Sequence, residues 1–302
     1  MPPDRKPALL LLGSEGQLGR EVQRLAAARG LAVTALGRAQ LDITRPHQVI
    51  EAVGGGFAAV INAAAYTAVD RAESETDLAF AANRDGAGHV ARACRDTGSL
   101  LIHISTDYVF DGLKGAPYRE DDPVHPLNVY GASKEAGEAA VRAACTDHVI
   151  LRASWVFGAA GSNFVKTMLR LGSEREELSI VADQFGCPTP AAALADAILA
   201  VAETAGPATC GTYHCAGEER TSWHGFAQAI FAAQREVTGR PRPKLAAIDT
   251  ADYPTAALRP ADSTLDSSLF QTTFGQAPID WRAGLSDVVR KLSGAAAQEG
   301  GR

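Results

Sequence analysis

The stretch "LLLLGSEGQLGREVQRL", residues 9–25, most narrows what this chain can fold into. Four leucines run straight into a turn with Gly13, Gly16 and Gly19, and a helix-forming segment follows. A short, continuous apolar run fits a first strand buried on both faces. Glycines three apart at a strand-to-helix turn let backbone amides and the helix N-terminus approach a pyrophosphate, because no Cβ stands in the way. The bland alternative is a tight turn that needs glycine for its backbone angles. Placement directly after a strand and before a helix favours the nucleotide.

The same alternation continues through the first half. "LAVTAL", "AAVINAAA", "LLIHIST" and "HVILRAS" read as strands, with a long helical region at 74–97 and a helix over 128–138 between them. Strand, helix, strand in repetition argues for an α/β fold, a doubly wound parallel sheet covered by helices on both faces. After about Phe157 the pattern loosens. "SNFVKTMLRLGSEREEL", "PTPAAALADAILAVAE" and "TSWHGFAQAIFAAQREV" read as helices, and a proline-rich stretch begins at Arg240. The expected organisation is a dinucleotide-binding domain over 1–157, completed by about 188–215. A smaller, interleaved substrate region covers 158–187 and 216–302. The tail "SGAAAQEGGR" reads as disordered.

Composition excludes several functions. The chain has 302 residues, 46% hydrophobic and 21% charged, with a net charge of −6. That is ordinary globular material, and the acidic balance argues against a general nucleic-acid binder. The run at residues 8–12 is too short for a signal segment or a membrane span. Five cysteines, odd in number and without C-x-x-C spacing, point to a reduced, cytoplasmic setting. "CGTYHC" at 210–215 reads better as a strand than as a metal cluster.

Two further features carry chemistry. An acidic residue at the end of the second strand would hold an NAD ribose, but "ALGRAQLDIT" offers Arg38 there, which suits the 2′-phosphate of NADP. A solvated surface arginine is the alternative. In "NVYGASKEAGE" Tyr130 and Lys134 are four apart, so a helix stacks the phenol above the ammonium. Thr106 closes the strand "LLIHIST", where its hydroxyl points into the crevice at the carboxyl edge of the sheet.

Thr106, Tyr130 and Lys134 match the Ser/Thr–Tyr–Lys triad of the extended short-chain dehydrogenase/reductase family. The segments "VINAAAYTAVDRAE", "STDYVFDG", "LRASWVFG", "NFVKTMLRL", "VADQFGCPT" and "RPADSTLD" narrow the resemblance to its dTDP-4-dehydrorhamnose reductases. The resemblance implies reduction of a sugar-nucleotide C4 ketone, with NADPH as cofactor and NADH possible. Lys134 would lie under the nicotinamide ribose and lower the pKa of Tyr130, the proton donor. By the same matching, Gly16, Gln17 and Leu18 would touch the pyrophosphate, and Asp42 and Ile43 would flank the adenine. Ala65, Tyr66 and Thr67 would line the cofactor, and Thr106, Asp107 and Trp155 would meet a dTDP-sugar. Asp42 also suits a helix cap for the segment that follows, and Trp155 could be a core aromatic. Arg259 could meet the diphosphate or only cap local structure.

Some family members form a Mg²⁺-linked dimer through glutamates. Glu21 matches one such position, but Ala192 stands at another, and one carboxylate is a poor site for a hard cation. No metal is expected, and either a monomer or a homodimer fits. Three rivals share the resemblance. A 4,6-dehydratase carries Asp-Glu after the threonine, whereas Asp107 is followed here by Tyr108. An epimerase with resident NAD would want the missing acidic ribose contact. A non-enzymatic relative, the regulatory β subunit of methionine adenosyltransferase, acts by contact alone.

Overall fold

The leucine run forms strand β1 (Leu9–Leu12) in a computed structural model that describes residues 8–299. It is followed by β2 (Val33–Leu36), β3 (Ala59–Asn62), β4 (Leu100–Thr106) and β5 (His148–Ala153). Four further strands come next: β6 (Val156–Phe157), β7 (Glu177–Val181), β8 (Phe185–Gly186) and β9 (Thr189–Pro190). Then follow β10 (Gly211–His214), β11 (Thr221–Ser222) and β12 (Lys244–Ile248). Six of these strands make one parallel sheet in the order β10-β5-β4-β3-β1-β2. "CGTYHC" is thus an edge strand of that sheet. The chain leaves β1 in one direction to reach β2 and returns on the other side for β3. That reversal opens a crevice at the carboxyl ends of β1 and β3.

Helices α1 (Gln17–Ala28) and α2 (Pro46–Val53) precede two short helices, α3 (Val69–Ala72) and α4 (Thr76–Phe80). A π-helical turn at Ala81–Gly86 leads into α5 (Ala87–Thr97). Next come α6 (Val129–Ala144), α7 (Phe164–Glu174) and α8 (Ala191–Thr204). The last are α9 (Trp223–Thr238), α10 (Ser268–Phe274) and α11 (Trp281–Glu299). Both faces of the sheet are covered, which is why its strands read as unbroken apolar runs. Leu9, Leu11, Ile61 and Ile102 pack against α1 and α8, while Leu10, Leu12, Val60 and Leu101 pack against α2 and α5. Each such side chain, fully buried, stabilises the fold by about 1.5–3 kcal/mol. A third core joins Phe157, Met168, Phe226, Phe231 and Trp281 around α7, α9 and α11.

Three expectations need correction. The helical region read over 74–97 begins at Val69, breaks at Ser74–Glu75 and passes through the π turn. The helix read through "SEREEL" stops at Glu174, and β7 follows, pairing in parallel with β12 inside the stretch read as proline-rich. Its residues alternate, with Leu178 and Ile180 buried and Glu177 and Ser179 exposed, so a period of two overrides the helical composition. The tail read as disordered continues α11 as far as Glu299, and residues 300–302 lie outside the described part. Alanine, glutamine and glutamate extend a helix readily once Leu285 and Val289 anchor it.

Candidate active site

The glycine turn is built by close backbone approach. Gly13 has φ 83°, and a Cβ on it would lie 2.7 Å from the backbone of Ala63 at the end of β3. A Cβ on Gly19 would lie 2.3 Å from the Gly13 carbonyl oxygen. Both glycines are needed to press α1 onto the two strand ends. Gly16 caps α1 with no side-chain acceptor, so the first-turn amides of Gln17, Leu18 and Gly19 point outward without a helical partner. An open helix N-terminus behind a cradle without Cβ atoms fits a dinucleotide pyrophosphate. Gln17 and Leu18 can offer it their backbone only. The Gln17 side-chain Nε2 donates to the Val156 carbonyl oxygen at 3.0 Å, and the Leu18 side chain is buried in the core.

Arg38 stands exposed at the turn beyond β2, with no hydrogen bond or ion pair to a described residue. Beside it lies a residue that the sequence reading missed. The Glu15 carboxyl carbon lies 2.8 Å from where a Cβ on Gly37 would sit, so an acid does reach the end of the second strand, from the glycine turn. Asp42 does not cap α2, which begins at Pro46 with Arg45 as its cap residue. It accepts bonds from Thr44 N at 3.0 Å and Thr44 Oγ1 at 2.8 Å. Burial raises its pKa, but these bonds and the charges of Arg38 and Arg45 outweigh it and hold the carboxyl below its usual range. The Ile43 side chain is core, packed on Gly86, and its carbonyl oxygen meets His89 Nδ1 at 3.0 Å, which leaves its backbone N–H for an adenine. Ala65 and Thr67 are exposed in the loop after β3. Asn83 pins Tyr66 between them, accepting from its amide at 2.8 Å and donating to its carbonyl oxygen at 3.0 Å.

At the end of β4 the structure brings the triad together. Asn128 caps α6, accepting from Gly131 N at 2.7 Å, and so sets Tyr130 in the first turn. The Tyr130 phenol lies beside the Thr106 hydroxyl, whose own proton goes to Asp107 Oδ1 at 3.0 Å. Burial pushes the Tyr130 phenol up to about 12, against the lowering effect of Thr106. Lys134 is buried and donates from Nζ to the Ile104 carbonyl oxygen at 2.6 Å. Burial brings its ammonium down to about 8, and the Glu138 carboxylate one turn on opposes that. The lysine charge is directed at strand β4, and burial dominates the phenol.

Asp107 was expected to face the sugar. Its carboxylate is instead buried and surrounded by hydroxyls: Thr106 at 3.0 Å, Ser154 at 3.0 Å and Ser263 at 2.5 Å. Burial outweighs these bonds and raises its pKa to about 6. Ser154 and Ser263 are functional candidates that the sequence reading missed. Trp155 lies just past β5 with φ 46°, a strained value for a tryptophan. Its ring stacks on Trp223 at 3.5 Å and lies over Gly186, so one face is already covered. Arg259 forms two bonds to Asp70, at 2.8 and 2.7 Å. Glu21 pairs with Arg24 at 2.8 Å. A cavity of about 350 Å³ bordered by Asp196, Phe270 and Asp280 shares no residue with the triad, so the site is defined by the strand ends.

A doubly wound parallel sheet with a glycine turn after β1 and a Thr–Tyr–Lys cluster at β4 and α6 defines the extended short-chain dehydrogenase/reductase class. Comparison with known proteins narrows it. The family model described as "RmlD substrate binding domain" matches residues 7–293. The dTDP-4-dehydrorhamnose reductase of Burkholderia thailandensis is 45% identical, covering 94% of this chain and 98% of that protein. The enzyme of the same name from Streptomyces griseus is 44% identical over 98% of this chain and 97% of its own length. The crystal structure of dTDP-4-dehydrorhamnose reductase from Bacillus anthracis in complex with NADP superposes with a TM-score of 0.88 at 37% identity, covering 94% of this chain and 99% of that one. The chain belongs to the dTDP-4-dehydrorhamnose reductase family. A UDP-glucose 4-epimerase from Thermus thermophilus, 20% identical with a TM-score of 0.79, shares the fold.

Proposed function

We propose that this protein reduces the C4 ketone of dTDP-4-dehydro-L-rhamnose to the alcohol of dTDP-L-rhamnose, using NADPH. The observation that carries this is the meeting of the Thr106 and Tyr130 hydroxyls at the carboxyl end of β4, within a family of that activity. Gly13, Gly16 and Gly19 with the first-turn amides of α1 would hold the pyrophosphate. Arg38 would take the 2′-phosphate, and the loop at 65–67 would line the nicotinamide half. A nicotinamide, when bound, supplies the hydride that no side chain can.

The remaining work belongs to the chain. Tyr130 donates to the ketone oxygen as charge develops on it and delivers its proton there, and Thr106 joins it by turning its one hydroxyl proton from Asp107 to that oxygen. Asp107 holds the Thr106 hydroxyl, and Ser154 and Ser263 hold Asp107. Lys134 keeps a positive charge beneath the site. The substrate region is 158–187 with 216–302, and the five cysteines, all free, suit a reducing compartment. Among the described residues no helix is long and apolar enough to cross a membrane. Glu15 beside Gly37 supports secondary use of NADH, since an acid there suits a ribose hydroxyl and repels a phosphate. The test is incubation with NADPH and enzymatically made dTDP-4-dehydro-L-rhamnose, with analysis of the product sugar. Formation of dTDP-L-rhamnose is expected. An unconsumed cofactor, or water elimination from dTDP-glucose, would overturn the reading.

A further inference from the structure

Tyr108 follows the hydroxyl cluster and takes no part in the steps above. Its backbone is wedged against α6. A Cβ on Gly131 would lie 2.2 Å from the Tyr108 carbonyl oxygen, so only glycine fits beside Tyr130. Its amide donates to Thr106 Oγ1 at 3.2 Å. Its ring meets the Tyr130 ring edge to face, with centroids 5.9 Å apart and planes at 77°. Such pairs are worth about 0.5–1.5 kcal/mol beyond burial and have a preferred geometry.

The far end of Tyr108 is held too. The Arg259 guanidinium lies close enough to lower the pKa of its phenol, against the larger raising effect of burial. Arg259 is fixed on three sides by Asp70 Oδ1 at 2.8 Å, Asp70 Oδ2 at 2.7 Å and the Ala257 carbonyl oxygen at 2.8 Å. The same loop is tied to the cap of α6, where Asn128 Nδ2 donates to the Leu258 carbonyl oxygen at 2.7 Å. Asp70 lies in α3, just after the loop at 65–67, and Arg259 lies 189 residues further on. One ladder therefore joins the cofactor loop, the C-terminal loop and the tyrosine of the triad.

We propose that Tyr108 is a positioning residue that aims the Tyr130 phenol, and that Arg259, clamped by Asp70, holds Tyr108 in place. The inference rests on the role given to Tyr130 above. It assigns Arg259 to the acid rather than to the substrate diphosphate. Misplacement of a reacting group by about 1 Å can cost on the order of a hundredfold in rate. Losing the ring should therefore lower kcat far more than losing the phenol.

The test is steady-state kinetics on the full chain. Tyr108→Leu should lower kcat about 50-fold while KM for the sugar nucleotide and Kd for NADPH stay within about twofold. Tyr108→Phe and Arg259→Ala each break the same link. Each should lower kcat by about fivefold, and the double variant should be no worse than either alone. Asp70→Asn, a half-exposed position, should match Arg259→Ala. A second readout is ¹³C-tyrosine NMR, with the Tyr130 signal assigned through Tyr130→Phe. That signal should move alike in Tyr108→Phe and Arg259→Ala. Unchanged kcat in Tyr108→Leu, or a raised sugar-nucleotide KM with normal kcat in Arg259→Ala, overturns the proposal. A Tyr130 signal unmoved in both variants overturns it even if the wild type reduces no sugar, whereas a wild-type protein inactive on this sugar overturns the activity alone.

Discussion

Lys134 donates from Nζ to the Ile104 carbonyl oxygen at 2.6 Å, while Tyr130, one turn earlier on the same helix, has its hydroxyl beside Thr106. The two groups named together by the Y-x-x-x-K spacing are therefore held by different partners on one strand. Their substitutions should differ. Tyr130→Phe keeps the ring and removes the acid, so kcat should fall by about 10²–10⁴-fold with NADPH binding near normal. Lys134→Met should weaken both.

The buried ammonium also leaves a stability signature. The folded pKa of Lys134, about 8, lies below its ordinary 10.5. Between those values the unfolded chain binds a proton that the folded chain does not, so stability rises with pH across that window. Lys134→Met lacks this titration. Subtracting its urea-unfolding free energy from that of the wild type should give a difference that climbs from about pH 8 towards 10.5. A flat difference would mean that the ammonium is well solvated in the fold.

Asp107 should show the opposite slope at acid pH. Its folded pKa of about 6 lies above the ordinary 3.8, so the folded chain holds the extra proton between them. The wild type should lose stability as pH rises from about 4 to 6, and Asp107→Asn should not. Parallel stability curves for the two proteins would refute the burial argument. The Asn variant should also lose turnover, because Thr106 then loses its carboxylate anchor.

Glu138 and Arg152 form a buried pair beneath the triad, with bonds of 2.9 and 2.7 Å. Glu138 also accepts from Ser105 at 2.5 Å and from Arg142 at 3.0 Å. Arg152→Met strands most of a buried carboxylate and should cost about 3–5 kcal/mol in urea unfolding. The double variant Glu138→Met/Arg152→Met should recover much of that loss. Equal losses in the single and double variants would show that the pair matters for shape rather than charge.

Cofactor choice should move in two directions. Arg38→Ala should lower the NADPH-to-NADH ratio of kcat/KM by roughly tenfold, and Glu15→Gln should raise it, each change being the size of one charged contact. If neither ratio moves, the end of the second strand does not read the ribose.

What the sequence disclosed follows physical rules of locality. The glycine turn was legible because Gly13 and Gly19 obey constraints set within a few residues and by one adjacent strand. The sheet strands were legible because burial on both faces leaves unbroken apolar runs. The hydroxyl nest was not legible. Ser154 and Ser263 lie 47 and 156 residues from Asp107 and meet it only in the fold. Glu15 was overlooked for the same reason, since its reach to Gly37 depends on how the glycine turn packs. Strand β7 hid behind a charged run whose composition suits a helix, and Trp223 became visible only through its stack on Trp155.

The central claim is hydride delivery to a sugar ketone with Tyr130 as the acid. It is tested most directly with NADPH carrying deuterium at the transferable position and dTDP-4-dehydro-L-rhamnose as acceptor. Wild-type protein should place one deuterium at C4 of the product sugar, seen by NMR, and Tyr130→Phe should place almost none in the same time while still binding the cofactor. Equal deuterium transfer by the two proteins would contradict the role of Tyr130. NADPH that binds but leaves no label in the sugar would contradict the account as a whole.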